Sequence, residues 1–156
     1  MSLATELQEE QVSHLDLSDF SLMTSGSSVR DTLTKLREER HNVCLIVDDA
    51  GTLIGIFTER DALRKVSTEP DALAQSIDSV MTTNPITVTP ETSAAEALTL
   101  MNSNHFRNLP AVKADGTIVG NMTHQAVISY LAARYPVEIL NRPLESDRFP
   151  DNPEGG

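Results

Sequence analysis

Apolar residues along the chain fall into two spacing patterns, and the pair of patterns occurs twice. Val29, Leu33 and Leu36 recur at helical spacing, as do Ala94, Ala97, Leu98 and Met101, which predicts two amphipathic helices. Each helix is preceded by a serine with an acid three residues on, Ser28 with Asp31 and Ser93 with Glu96, the signature of a capping box. Short continuous apolar runs follow at Val43–Val47 and Leu109–Val112. They are too short for helices, and the turns Asp49-Ala50-Gly51 and Ala114-Asp115-Gly116 close them, so each reads as the first strand of a hairpin. Second strands are predicted over Leu53–Phe57 and Ile118–Met122, and final helices open at Thr58 and Thr123. With an extended segment such as Ile86-Thr87-Val88 at the head, each unit reads β-α-β-β-α.

The two units are one sequence pattern repeated. Shifting residues 85–131 back by 65 lays them on 20–66 without a gap, and nine positions are identical. Those nine include the turn glycines Gly51/Gly116, the caps Ser28/Ser93, and Gly55/Gly120 with Thr58/Thr123. A unit of 47 residues is too small to bury a competent core alone. The expected fold is therefore α+β, with two β-α-β-β-α motifs packed by pseudo-twofold symmetry. The expected divisions are an acidic extension over 1–15, units over 16–66 and 81–132, a linker over 67–80, and a tail over 133–156. Residues 1–13 fit one amphipathic helix, and Asp71–Val80 a short one. The tail carries prolines at 136, 143, 150 and 153 and is expected to be extended in isolation.

Charge narrows the partners. The net charge is −11, with −5 over residues 1–19 and −3 over 136–156. Acidic ends are a poor match for nucleic acid, whose affinity comes largely from phosphate neutralisation, and for an anionic membrane surface. No apolar run approaches the roughly 20 residues of a membrane span, and the acidic N-terminus lacks the apolar stretch of a secretory signal. The single cysteine, Cys44, excludes an intramolecular disulfide or a CxxC motif. A cytoplasmic location is the expectation. His14, His41, His105 and His124 show no metal-ligand spacing, and no catalytic motif is present, so neither a metal site nor an enzyme activity of its own is expected.

The heptapeptide Gly55-Ile56-Phe57-Thr58-Glu59-Arg60-Asp61, preceded by Val43–Asp49 and Gly51–Ile54, carries the functional signal. Gly55 ends a strand without a Cβ, where a ligand can approach the backbone. Thr58 opens a helix whose free N–H groups favour an anion. Asp61 lies one turn in, on the same side as Thr58, where a carboxylate can accept hydrogen bonds from a ligand. Together with Asn108–Val112, Gly116–Gly120, Thr123 and the run Val80–Pro90, this heptapeptide resembles the cystathionine-β-synthase (CBS) domain. The resemblance covers roughly 16–132, and two linked copies look like a Bateman module.

The resemblance implies an adenosine nucleotide or adenosyl ligand (AMP, ADP, ATP, S-adenosylmethionine or NAD(H)) as a regulatory ligand rather than a resident cofactor. It implies a first site built from Gly55, Thr58, Arg60 and Asp61, the strand start His41 and Val43, and Thr82, Thr83, Pro85 and Ile86. It implies a second, degraded site at Arg107, Asn108, Gly120, Thr123, His124, Phe20 and Leu22. There Ala126 stands where Asp61 stands in the first unit, so the ribose-gripping carboxylate is missing. It also implies a homodimer shaped as a flat disc, and an unidentified regulated protein. The same residues admit a plainer reading, in which Thr58-x-x-Asp61 is a helix cap and both functions coexist. A rival from another class is an adaptor or oligomerisation protein whose pockets are vestigial.

Overall fold

A computed structural model describes residues 3–134; of the tail predicted over 133–156, residues 133 and 134 end the last helix and the rest lies outside the described residues. In unit one, β1 (Ser21–Thr24), α2 (Val29–Glu39), β2 (Val43–Val47) and β3 (Leu53–Thr58) follow a short α1 (Leu3–Glu9). One helical turn, α3 (Glu59–Asp61), runs into a π-helical turn at Ala62–Val66. In unit two, β4 (Thr82–Thr83) precedes α4 (Ala94–Asn104), β5 (Asn108–Val112), β6 (Ile118–Thr123) and α5 (His124–Arg134). The protein is thus a mixed α+β chain of two repeated motifs.

The serine half of each predicted capping box forms, without a return bond from the acid. Ser28 Oγ accepts from Asp31 N at 3.0 Å, and Ser93 Oγ accepts from Glu96 N at 3.0 Å. At the other ends, Arg40 and His105 take left-handed backbone at φ 60° and 58°. These two are equivalent under the 65-residue shift. Both hairpins also carry a register shift at the same place, between Ile46 and Val47 and between Ala111 and Val112. Gly51 and Gly116 sit at φ 85° and 92°, the left-handed conformation that a tight turn requires and glycine adopts freely.

The units are not identical in their sheets. Unit one contributes three strands of a four-stranded sheet ordered β1-β2-β3-β4, whose fourth strand comes from the head of unit two; β1 is parallel to β2 and the other pairs are antiparallel. The other sheet holds β5 and β6 alone among the described residues. The expected extended segment at Ile86–Val88 is reduced to one parallel bridge, Val88 to Ala111. Thr52 and Thr117, equivalent under the repeat, face each other in an isolated bridge. Equivalent residues touch where a twofold axis passes, so this bridge marks the pseudo-symmetry axis.

Two cores result. One gathers Val29, Leu36, Cys44, Ile46, Phe57, Ile77 and Val80; the other gathers Leu109, Ala111, Met122, Ala97 and Met101 with Val12, Leu15 and Leu17. Val12 and Leu15 lie in the expected acidic extension, and Leu17 lies within the expected bounds of unit one. The chain instead uses them to complete unit two: Val12 is fully buried, Val12 N donates to Thr92 O, and Ala94 N donates to Glu10 O. The predicted helix over 1–13 ends at Glu9 among the described residues and is followed by a 3-10 turn at Val12–His14. The helix stops there because unit two claims the next backbone groups: Val12 N donates to Thr92 O, Ser13 N donates to Pro90 O, and Glu10 O accepts from Ala94 N. The expected helix over Asp71–Val80 is two 3-10 turns, Ala72–Ala74 and Ile77–Ser79. Between them Val29 N donates to Gln75 O and Ile77 N donates to Ser27 O; these bonds to unit one take the place of helical ones.

Candidate ligand-binding cleft

The hairpins of both units open, at the ends away from their turns, onto one cleft of about 1130 Å³. Its unit-one wall is built where β2 begins and β3 ends, because Val43 pairs with Thr58 and Glu59 N donates to Asn42 O at 3.0 Å. This fixes the start of α3 against the sheet. Thr58 caps the turn reciprocally: Asp61 N donates to Thr58 Oγ1 at 3.3 Å, while Thr58 N donates to Asp61 Oδ2 at 3.0 Å. The cap thus occupies Oδ2. Among the described residues Asp61 Oδ1 has one charged partner, Lys65 Nζ at 3.8 Å, and the carboxylate side chain is 15% exposed. That oxygen keeps its capacity to accept hydrogen bonds from a ligand. Val43, Ile56, Pro85 and Ile86 supply apolar surface beside it.

The sequence-predicted residues separate into those that line this cleft and those that do not. Thr58, Arg60, Asp61, Val43, Thr82, Pro85 and Ile86 line it; Gly55, His41 and Thr83 do not. His41 turns away to Ser21, whose Oγ donates to Glu39 and lies 3.0 Å from His41 Nδ1. It therefore serves the β1–α2 junction rather than a phosphate. Gly55 has no Cβ for a different reason from the one expected. A Cβ there would stand 2.3 Å from Met81 Sδ, so the chain's own methionine fills the approach expected for a ligand.

The second site also departs from expectation. Arg107, Asn108, Thr123 and His124 line the same cleft as Asp61, not a separate one, whereas Gly120, Phe20 and Leu22 lie outside it. A Cβ on Gly120 would meet Leu17 Cβ at 2.3 Å and Leu17 O at 2.6 Å, so the N-terminal segment closes that approach. Phe20 belongs to a smaller surface hollow with Leu15, Leu17 and Val119, and Leu22 is 42% exposed on the first strand. Thr123 Oγ1 accepts from Ala126 N at 3.0 Å; with alanine there, no reciprocal carboxylate exists.

Several lining residues escaped the sequence reading. Asn84 lines the cleft with left-handed backbone at φ 50°, a conformation asparagine tolerates better than most residues. Its equivalent under the repeat, Asp19, was expected at the second site with the segment to Leu22 and lines the cleft too. Met101, His105 and Phe106, from the end of α4, close the far side; their helical spacing reads as core, and nothing in the sequence tells the rim of a core from the wall of a cleft. Among the described residues, no cluster of three or more His, Cys, Asp or Glu is placed to hold a metal ion. No helix among them is long and apolar enough to cross a membrane. Burial pushes the Cys44 thiol up to about 12, so it stays protonated and unreactive at neutral pH.

Residues 18–68 and 77–133 each match the CBS domain family. This chain belongs to that family. The CBS domain-containing protein CBSCBSPB3 of Arabidopsis thaliana is 36% identical over 108 residues, which are 67% of this chain but 19% of that protein. The chain therefore spans about a fifth of that relative. Among solved CBS structures, CBSX2 in complex with AMP superposes with a TM-score of 0.68 at 25% identity, covering 80% of this chain and 97% of that one. The CBS domain pair of protein MJ0100, in complex with 5-methylthioadenosine and S-adenosyl-L-methionine, superposes with a TM-score of 0.68 at 22% identity, covering 80% and 97%. The second match speaks for the fold alone.

Proposed function

We propose that the cleft binds an adenosine nucleotide or adenosyl ligand and that the chain is a non-catalytic regulatory module. The observation that carries this is the divided use of Asp61. One carboxylate oxygen holds the helix cap, and the other is left at the cleft beside an apolar slot formed by Val43, Ile56, Pro85 and Ile86. A carboxylate beside an apolar slot suits a ribose with its base. The AMP bound by CBSX2 supports the same ligand class. Binding would bias the arrangement of the two units and so be read by a partner.

In this reading the module is cytoplasmic and works as a flat homodimer. Leu63 and Ile128, equivalent under the repeat, are 68% and 57% exposed and supply apolar surface for the second copy. One observation favours the rival adaptor reading: Met81 and Leu17 fill the approaches at both glycines. Thermal melting against AMP, ADP, ATP, S-adenosylmethionine and NAD(H), with GTP as control, separates the two. A ligand at 100 times its Kd adds about 2.7 kcal/mol of stability. A shift lost in Asp61→Ala supports the sensor; no shift from any ligand supports the adaptor.

A further inference from the structure

The repeat extends beyond the two units. Shifted by 65, the N-terminal stretch falls on the linker, and the contacts of the two stretches correspond. Val29 N donates to Gln75 O and Ile77 N to Ser27 O, while Ala94 N donates to Glu10 O and Val12 N to Thr92 O. The isolated bridges Ser28 to Ser76 and Gln11 to Ser93 correspond as well. Each unit is therefore completed by the segment that precedes the other: the linker closes unit one, and the N-terminal stretch closes unit two.

Equivalent residues, Lys65 and Tyr130, latch each closing segment to the last helix of its unit. Lys65 Nζ donates to Val80 O at 2.9 Å, and Tyr130 Oη donates to Glu10 Oε1 at 2.7 Å. The latches differ in what else they touch. Lys65 Nζ also lies 3.8 Å from Asp61 Oδ1, whereas Ala126, at the equivalent position in unit two, offers Tyr130 no carboxylate. The helices differ too. Lys65 sits in the π-helical turn, where Ser67 N donates to Ala62 O at 3.1 Å, five residues back, while α5 is α-helical throughout His124–Arg134. Turns of that kind are rare and occur frequently at functional sites.

Lys65 is not among the residues that line the cleft, so it meets a ligand only through other groups. What it holds leads into the cleft. Val80 is buried and is followed by Met81, packed against Gly55, and by Thr82, which pairs with Ile56 on the cleft wall. One ammonium group thus ties Asp61 to the chain that enters the wall of Thr82, Pro85 and Ile86.

Resting on the reading that Asp61 holds a ligand, we propose that Lys65 is a positioning residue of the cleft, which couples occupancy of Asp61 to the linker. Ligand hydroxyls donating to Asp61 Oδ1 offset part of the negative charge that Nζ faces. The ammonium is then left to the Val80 carbonyl, and the linker tightens. Coupling is reciprocal, so a linker held by Lys65 raises ligand affinity by the same factor. Unit two keeps a latch without the carboxylate, and its closing segment is held irrespective of ligand.

Isothermal titration and amide hydrogen exchange on the full chain test this, using whichever of AMP, ATP and S-adenosylmethionine binds wild type. The variants are Lys65→Met, which keeps the apolar stem, Lys65→Arg, whose forked donors can span both acceptors, and Tyr130→Phe. The Lys65 side chain is 43% exposed, so Lys65→Met should fold. It should bind about tenfold more weakly, the worth of one hydrogen bond from a charged donor. Lys65→Arg should stay within about threefold of wild type, and Tyr130→Phe should bind as wild type does. Saturating ligand should slow exchange of the Met81 and Asn84 amides, which donate to Ile77 O and Ile54 O. That slowing should vanish in Lys65→Met and persist in Tyr130→Phe; a general loss of stability does not imitate it, since each variant is compared with itself. Unchanged affinity in Lys65→Met, weak binding that Lys65→Arg fails to restore, or linker amides that ligand leaves untouched in wild type overturns the proposal and leaves the adenosyl reading standing. Binding of none of the three ligands overturns both.

Discussion

Gly120→Ala isolates the contact that closes unit two. Gly120 has no positive φ, so the substitution meets no backbone strain; its effect is one of space. The new Cβ would stand 2.3 Å from Leu17 Cβ and 2.6 Å from Leu17 O, well inside the roughly 3.5–4.0 Å of carbon contact. The segment at 17–19 must therefore retreat by more than an ångström. Leu17 O accepts from Asn121 N at 2.9 Å, and Asp19 O accepts from Asn121 Nδ2 at 3.1 Å. Two hydrogen bonds at about 1 kcal/mol each are put at risk. Leu17 is 8% exposed, and partial exposure adds about another 1 kcal/mol against 1.5–3 for complete loss of burial. The alanine returns about 0.4–1 kcal/mol through the unfolded chain. The net expectation is a loss of about 2–3 kcal/mol, or about 5–10 °C in Tm for a chain of this size. Urea denaturation followed by circular dichroism reads it directly. Gly55→Ala is the internal control: the nearest atoms to its Cβ belong to the flexible Met81 side chain rather than to backbone, so it should cost less than half as much. A Gly120→Ala variant within 0.5 kcal/mol of wild type would refute the account of how the N-terminal segment docks.

Ser93→Ala removes the Glu96 N–H acceptor and should cost about 1 kcal/mol, read in the same urea titration. Asp61→Ala strips the Thr58 N–H of its acceptor and should lose about 0.5–2 kcal/mol of cap stability, measured without ligand so that the cap is separated from binding. Hydrogen bonds from Tyr130 and then His14 hold the Glu10 carboxyl below its usual 4.5. A depressed carboxylate stabilises the fold above its unfolded value and loses that contribution as pH falls through the folded one. Stability should therefore decline below about pH 4.5, and Glu10→Gln should flatten that decline in melts taken between pH 6 and 3. Cys44 should resist a thiol reagent at pH 8 in the native protein and react fully in denaturant, a difference absorbance reports.

Much of this architecture was readable in the chain. The serine caps, turn glycines and apolar runs are local signals, and each sits where its spacing places it. The cleft was legible only by halves. Asp61 and Thr58 lie on a contiguous motif, but their joining to Arg107 and His124 in one cleft depends on how the units meet, which no local pattern encodes. His41 and Gly55 mislead for a related reason. A histidine before a strand and a glycine read as ending one suit a ligand, yet Gly55 stands inside β3, and Ser21 and Met81 claim the two residues from 20 and 26 residues away in sequence. The N-terminal segment was misread because its acids dominate its composition, while Val12, Leu15 and Leu17 decide its placement.

The bridge between Thr52 and Thr117 has a mechanical consequence. It ties the hairpins together at their turn ends, while the cleft opens at the opposite ends, near Thr58 and Thr123. The strands between, Leu53–Thr58 and Ile118–Thr123, are six residues long, or about 20 Å at 3.3 Å per residue. The hairpins are thus lever arms on a common fulcrum. A rotation of about 5° at the threonines would move the cleft walls by about 1.7 Å over that length, enough to make or break a hydrogen bond to Asp61.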